Sequence, residues 1–368
     1  MHSFAEATTK FSLELYSQLR ESEDNIFYSP ISIMTALGML QLGAKGNTEQ
    51  QIEKVLQFNE TTKKTTEKSA ACHVSEEENV HEQFQKLMTH LHKSNDVYDL
   101  KAANSIYGAK KFQFLQTFLE DIKKYYQANV ESLDFANAAE ESQKKINSWV
   151  ESQTNGKIKD LFPSGSLSSS TILVLVNAVY FKGQWNQKFD EKHTTEEKFW
   201  LNKDVQAKIV EIPYKGNELS MYVLLPVEID GLKKLEEQLT ADKLLEWTNT
   251  QNMHTVELYL SLPRFKVEEK YELPGPLEHM GMVDAFSPQK ADFSGMSSTP
   301  GLVVSNVLHK SFVEVNEEGT EAAAATGVEV SLTSAQKTED FCCDHPFLFF
   351  IKQCKTNSVL FFGRMSSP

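Results

Sequence analysis

The sequence predicts an α+β fold carried by one domain over residues 1–368. The first half of the chain shows capped segments with helical spacing, whereas the second half is richer in short apolar or alternating runs of strand length. No internal repeat and no clean linker separates the halves, so helices early and strands late read as one unit.

Phe11, Leu15 and Leu19 recur at helical spacing, which starts the fold close to residue 1. Ser29-Pro30 opens a second helix, with a capping hydroxyl followed by proline in the first turn. It runs through Leu37 and Leu40 to a stop at Gly43 and Gly46. Thr48 is expected to cap the next helix with Gln51 three residues on, and Ile52, Val55 and Leu56 form its apolar stripe. Residues 59–78 are polar and poor in aromatics, an interhelical loop inside the domain. Phe84, Leu87, Met88 and Leu91 resume the helical pattern.

Ile172 to Val176 is apolar throughout, as a central strand covered on both faces should be. Val256, Leu258, Leu260 and Leu262 alternate with polar residues or Tyr259, the pattern of a strand with one face exposed. Val307 to Val315 and Pro346 to Ile351 complete the predicted strands.

A net charge of −14 argues against nucleic acid or an anionic membrane as a general partner. Met1 to Tyr16 lacks the basic and apolar regions of a signal peptide, and no apolar run approaches membrane-spanning length. Cys72, Cys342, Cys343 and Cys354 are too sparse for a disulfide framework, which favours a cytoplasmic protein. The Asn59-Glu60-Thr61 sequon matters only for a secreted chain. Phosphate-loop, zinc-protease and nucleophile-elbow motifs are absent, and no local signature supports a Ser-His-Asp triad. Cys342, Cys343 and His345 lack standard zinc spacing, while His81, His90 and His92 read as ordinary surface residues. The sequence nominates no enzyme, no metal and no cofactor.

One segment is left over. "EEGTEAAAATGVEVSLTSAQKTEDF", Glu317 to Phe341, joins two predicted strands and far exceeds the usual connection of roughly 4–6 residues. Ala322 to Thr326 are small, uncharged and free of proline, so they can enter a sheet as an extra strand without desolvating a charge or losing a ladder donor. Gly319 supplies backbone freedom for a hinge. An alanine-rich surface helix or a tether is the alternative on composition alone.

Four ordered stretches change that balance. "FYSPISI" (Phe27–Ile33), "NAVYFKGQW" (Asn177–Trp185), "NEEGTEAAAAT" (Asn316–Thr326) and "DHPFLFFI" (Asp344–Ile351) with the C-terminal "NSVLFFGRMSSP" resemble the serpins over nearly the whole chain. Within that family the chain is most similar to the intracellular, ovalbumin-like clade and its squamous cell carcinoma antigen subgroup. The resemblance implies three β-sheets, about eight to nine helices and an exposed reactive-centre loop, here residues 319–340. It also implies a suicide inhibitor of proteases: the target cleaves the loop and forms an acyl-enzyme, and the loop then inserts into the main sheet and distorts the target. The nucleophile belongs to the target.

By the resemblance, Glu317, Gly319, Thr320, Glu321, Ala322, Ala323, Ala324 and Ala325 form the hinge. The reactive bond falls between Thr333 and Ser334, with Leu332 and Ser331 before it as protease-recognition residues. Leu332 suits papain-like cysteine proteases, which select an apolar residue two places before the bond. A register slip of one residue would instead offer Leu332 to chymotrypsin-like serine proteases. Both target classes stay open. Ser29, Ser32, Asn177 and His309 match the family's shutter beneath the opening strands, and Trp185 matches the breach where insertion begins. The expected partners are therefore proteases, the expected state a monomer, and the location the cytoplasm, with release from cells by a route that needs no signal peptide as an addition.

One departure stands out. After "EEKFWLNK" (Glu196–Lys203) the family has a strand of the small sheet and the first strand of another sheet, whereas this chain passes directly to "DVQAKIVEIPYKG" (Asp204–Gly216). Two strands are thus expected to be missing between Lys203 and Asp204, exposing strand edges. A non-inhibitory or fold-compromised protein that proteases merely cleave is the alternative function.

Overall fold

The computed structural model describes residues 2–58, 79–91, 97–190, 207–229, 231–249, 251–255, 258–317 and 339–368. The first part of the chain contains α1 (His2–Leu19), β1 (Ile26–Tyr28), α2 (Pro30–Gly43), α3 (Gly46–Val55) and α4 (Val80–Leu91). β2 (Tyr98–Ala109), α5 (Gln116–Tyr126), β3 (Asn129–Leu133), α6 (Ala139–Gln153) and β4 (Leu173–Gly183) follow. Next come β5 (Ala207–Pro213), β6 (Leu219–Pro226), α7 (Leu232–Gln238), α8 (Ala241–Trp247), β7 (Leu258–Ser261), β8 (Phe265–Glu272) and α9 (Pro274–His279). β9 (Val304–Val315), β10 (Glu339–Cys342), β11 (Phe347–Gln353) and β12 (Ser358–Met365) end the chain.

Three sheets assemble from these strands, as the α+β expectation requires. The first has the order β3-β2-β4-β9-β8, the second β1-β12-β11-β6-β5, and the smallest pairs β10 with β7. β4 sits at the centre of the first sheet and is buried along its length apart from half-buried Lys182, which explains its uninterrupted apolar sequence. β11 and β12 are fully buried for the same reason and form an antiparallel hairpin in the second sheet. Phe181 of β4 packs on Phe361 of β12 at 5.4 Å, and Phe361 stacks on Phe27 at 5.3 Å, so aromatic rings tie the two large sheets together. Within the second sheet Gly363 of β12 leaves room for the ring of its β11 partner Phe349, from which a Cβ would lie only 2.5 Å away.

Ser29 caps α2 as expected, its hydroxyl accepting the Ser32 N–H at 3.3 Å, and nearly the whole helix is buried under the sheets. Thr48 does not cap α3. The helix begins at Gly46, and the Thr48 hydroxyl instead accepts the Asp292 N–H at 3.0 Å while Gln51 accepts those of Val283 and Asp284. His81 is not a surface residue either: it lies on the buried face of α4 and its Nδ1 meets the Tyr126 hydroxyl at 2.6 Å. The long loop also ends sooner than 340, since Glu339 and Asp340 already pair with Leu258 and Tyr259 as the start of β10. The polar loop 59–78 and the junction between Lys203 and Asp204 lie outside the described residues.

Candidate functional site

β4 and β9 are parallel neighbours, paired from Leu173–Val304 to Phe181–Val313. A parallel pair has its strand ends on the same side. The chain leaving β9 at Val315 therefore emerges beside the end of β4, at the mouth of the seam between the two strands. A segment folding back from that point would lie antiparallel to both, replacing one slanted parallel ladder with two antiparallel ones. The seam is thus a place where this sheet can accept one more strand.

Side chains also cross the seam. Asn177 of β4 and His309 of β9 stand directly opposite one another, and Asn177 Oδ1 bonds His309 Nδ1. The other ring nitrogen, Nε2, accepts the Ser29 N–H at 3.0 Å, so Nδ1 carries the proton and donates it to Asn177. The Asn177 amide donates to the Ser32 hydroxyl at 2.6 Å, to the Ser32 carbonyl at 3.2 Å and to Asn104 Oδ1. Ser29 Oγ donates to the Leu360 carbonyl at 2.7 Å. One polar cluster consequently joins β2, β4, β9, β12 and the start of α2, all of it buried except for half-buried Asn104. Burial pushes the His309 imidazole down to about 3, which keeps it neutral as its accepting Nε2 requires. The Tyr271 ring of β8 stacks on His309 at 6.5 Å, and its hydroxyl accepts the Phe27 N–H.

At the mouth of the seam, Trp185 is buried and its indole N–H donates to the Asn316 carbonyl at 2.9 Å. Its ring stacks on Tyr214 at 4.5 Å and meets Phe189 edge-on. The Phe189 N–H donates to the Glu317 carbonyl at 2.8 Å, and the buried Glu317 carboxylate pairs with Arg264 at 2.5 Å. The last two described residues before the loop are therefore pinned by the segment that follows β4.

Ser29, Ser32, Asn177 and His309 thus come together, as do Trp185 and Glu317. Gly319, Thr320, Glu321, Ala322 to Ala325, Ser331, Leu332, Thr333 and Ser334 lie outside the described residues. Sequence reasoning missed Asn104, Tyr271, Tyr214 and Arg264. Asn104 left a signal, an amide in the middle of a strand otherwise rich in apolar and small residues. Among the described residues no group of His, Cys, Asp and Glu is arranged to hold a metal ion, and no helix is long and apolar enough to cross a membrane.

Comparison with known proteins agrees with this geometry. The profile of the family described as "Serpin (serine protease inhibitor)" matches residues 6–368. Serpin B4 of Homo sapiens is 60% identical over 391 aligned positions, covering 100% of both chains. Leukocyte elastase inhibitor of Homo sapiens is 44% identical over 395 positions, again with 100% of each chain covered. Among solved structures, uncleaved ovalbumin superposes with a TM-score of 0.85 at 36% identity and 100% coverage of each chain. The alignment with Serpin B4 spans 391 positions against the 368 residues of this chain, so at least 23 of them have no counterpart here.

Proposed function

The chain belongs to the serpin family, and from that premise we propose that it is a suicide inhibitor of serine and papain-like cysteine proteases, acting by insertion of its own cleaved loop between β4 and β9. The observation that carries the reading is the parallel β4–β9 seam, with the loop leaving from the end of β9. Thr320, Ala322, Ala324 and Thr326 share one face of an extended segment, so a strand laid in the seam presents only small side chains to the core. The target attacks between Thr333 and Ser334, with Leu332 and Ser331 as bait. Insertion drags the acyl-enzyme across the sheet before water can release it. The protein acts in the cytoplasm and works as bait rather than as an enzyme.

The fold-compromised alternative is not favoured. The sheet that must open retains β2, β3, β4, β8 and β9. The cluster across its seam is fully connected.

Insertion adds on the order of ten backbone hydrogen bonds, each worth roughly 0.5–1.5 kcal/mol net. Limited cleavage by a chymotrypsin-like protease should therefore raise the melting temperature sharply, with mass spectrometry placing the cut between Leu332 and Ser334. Thr320→Arg and Ala322→Pro should leave the loop cleavable but convert the protein from inhibitor to substrate, with a smaller gain in melting temperature. An unchanged melting temperature after cleavage of the unaltered protein, or a cut only at Lys337, would count against the reading.

A further inference from the structure

Among the described residues a second opening lies at the outer edge of β5, the last strand of its sheet. In the antiparallel ladder with β6, Tyr214 donates to Leu219, so the even-numbered residues of β5 bond inward and the odd-numbered ones face out. The far end of that outer row is covered. Asn186 N–H donates to the Pro213 carbonyl at 3.0 Å, and Lys215 N–H donates to the Gln184 carbonyl at 2.7 Å. Proline itself brings no N–H. That leaves the N–H and C=O groups of Ala207, Ile209 and Glu211 pointing outward, and among the described residues no strand lies beyond β5 and no backbone group bonds to them.

Edges of this kind are normally guarded by charged side chains or proline. Here the guards face elsewhere: Lys208 Nζ reaches the Asp340 carbonyl of β10 at 3.4 Å, and Glu211 leans on the Tyr222 hydroxyl. The open row is short, and it is complementary to itself. A two-fold axis through Ile209 sets Ile209 against its own copy and small Ala207 against Glu211. About six hydrogen bonds would close, two for each opposed pair. The two Glu211 carboxylates fall at opposite ends, four residues or about 13 Å apart along the strand. Pro213 and the Gln184–Asn186 segment stop the pairing from extending, so it closes as a pair and cannot run on into a fibre.

We propose that the unpaired edge Ala207–Glu211 of β5 is a dimerisation strand, on which a second copy of this chain docks antiparallel about Ile209 to extend the second sheet across both molecules. The monomer expected from the sequence is then the dilute state only.

Sedimentation equilibrium on the full chain tests this. The apparent mass should rise with concentration from 41.7 kDa toward twice that value. Ile209→Pro deletes an outward donor, and Ile209→Lys places two ammonium groups opposite each other; each should weaken dimerisation by roughly tenfold or more. Ile209→Cys should cross-link the pair under mild oxidation, since opposed Cα atoms in such a pair lie about 5.5 Å apart. Hydrogen exchange provides a readout free of substitutions, with the Ile209 amide exchanging fast in dilute protein and slowly in concentrated protein. A mass that stays monomeric at all concentrations would overturn the proposal. So would a dimer indifferent to both Ile209→Pro and Ile209→Lys, or an Ile209 amide protected even at high dilution, which would mean that the chain covers its own edge.

Discussion

The seam between β4 and β9 and the outer edge of β5 are both places where a sheet lacks a strand it can accept, yet they are built differently. At the seam the two strands are already paired from Leu173–Val304 to Phe181–Val313, and the side chains crossing it satisfy one another from Ser32 through Asn177 and His309 to Ser29. At the edge, three residues simply face outward. An interior vacancy must be closed by bonds that can later be exchanged, because unpaired polar groups there would be buried. An edge vacancy can be left to water. The seam therefore holds its capacity for another strand behind a barrier, whereas the edge keeps its capacity open. Substitutions should be costly at the first and cheap at the second.

The largest effect is expected at His309. His309→Ala removes an acceptor for Ser29 N–H and a donor for Asn177 Oδ1, and leaves both stranded in the core. The cost should be about 2–5 kcal/mol, read by urea denaturation, the upper part of the range reflecting the cavity left beside Tyr271. The neutral state of His309 also makes the seam acid-sensitive. Its folded pKa, about 3, lies below the ordinary value of 6.5, so the unfolded chain binds the proton more readily. The stability contributed by the neutral ring is complete above pH 6.5 and is lost as pH falls from there toward 3, by up to about 1.4 kcal/mol for each pH unit. His309→Ala should flatten that part of the stability profile. An equally steep fall in the variant would mean that other groups carry the acid response.

These contrasts also show how far the sequence could be read. The cap of α2 and the burial of β4 were legible, because Ser-Pro and an unbroken apolar run act locally. Asn177, His309, Trp185 and Glu317 were legible only through family motifs. Nothing local says that Asn177 will face a histidine 132 residues away. Tyr271 and Arg264 were not legible at all, and Asn104 left only its mid-strand amide as a trace, since their roles arise from register between strands far apart in sequence. Thr48 misled because a capping hydroxyl and a loop-anchoring hydroxyl leave the same trace. His81 misled for the opposite reason: it lies three residues before Phe84, on the helix's apolar stripe, but its type suggested surface.

Lys352 sharpens the comparison from the second sheet. It lies on β11, buried, with its ammonium donating to Thr248 Oγ1 at 2.9 Å and lying 5.2 Å from the centre of the Tyr222 ring. Among the described residues no carboxylate comes within ion-pair distance of it, and burial pulls its pKa down to about 8, against the opposing pull of Glu211 and Cys354. A lysine held below its unfolded pKa of 10.5 favours the neutral form in the fold, so stability should rise as pH climbs from about 8 toward 10.5. The full gain is up to about 3 kcal/mol. Because tyrosines and cysteines titrate in the same window, the measurement is the difference between the unaltered protein and Lys352→Met from pH 7 to 9.5. Lys352→Met should be the more stable at pH 7, with the gap narrowing as pH rises. A constant gap would show that the ammonium is not penalised by burial.

The smallest expected effect lies at the edge, within a single strand. Ile209 N–H faces outward, and its extended backbone, like that of Lys208 before it, suits proline. In dilute, monomeric protein Ile209→Pro should therefore cost about 1 kcal/mol or less, mostly lost packing of a half-buried side chain. One residue on, Val210 is buried and its N–H bonds inward to Val223. Val210→Pro deletes that ladder bond and wedges a ring against β6, at a cost of about 3 kcal/mol or more. The ratio between neighbours is the informative quantity, because both substitutions restrict the unfolded chain similarly. Equal losses would mean that β5 is paired on both sides and the edge is closed. A loss several times larger at Val210 would establish that the outward row carries no bond in the monomer, the condition under which the seam and the edge divide the two kinds of vacancy between them.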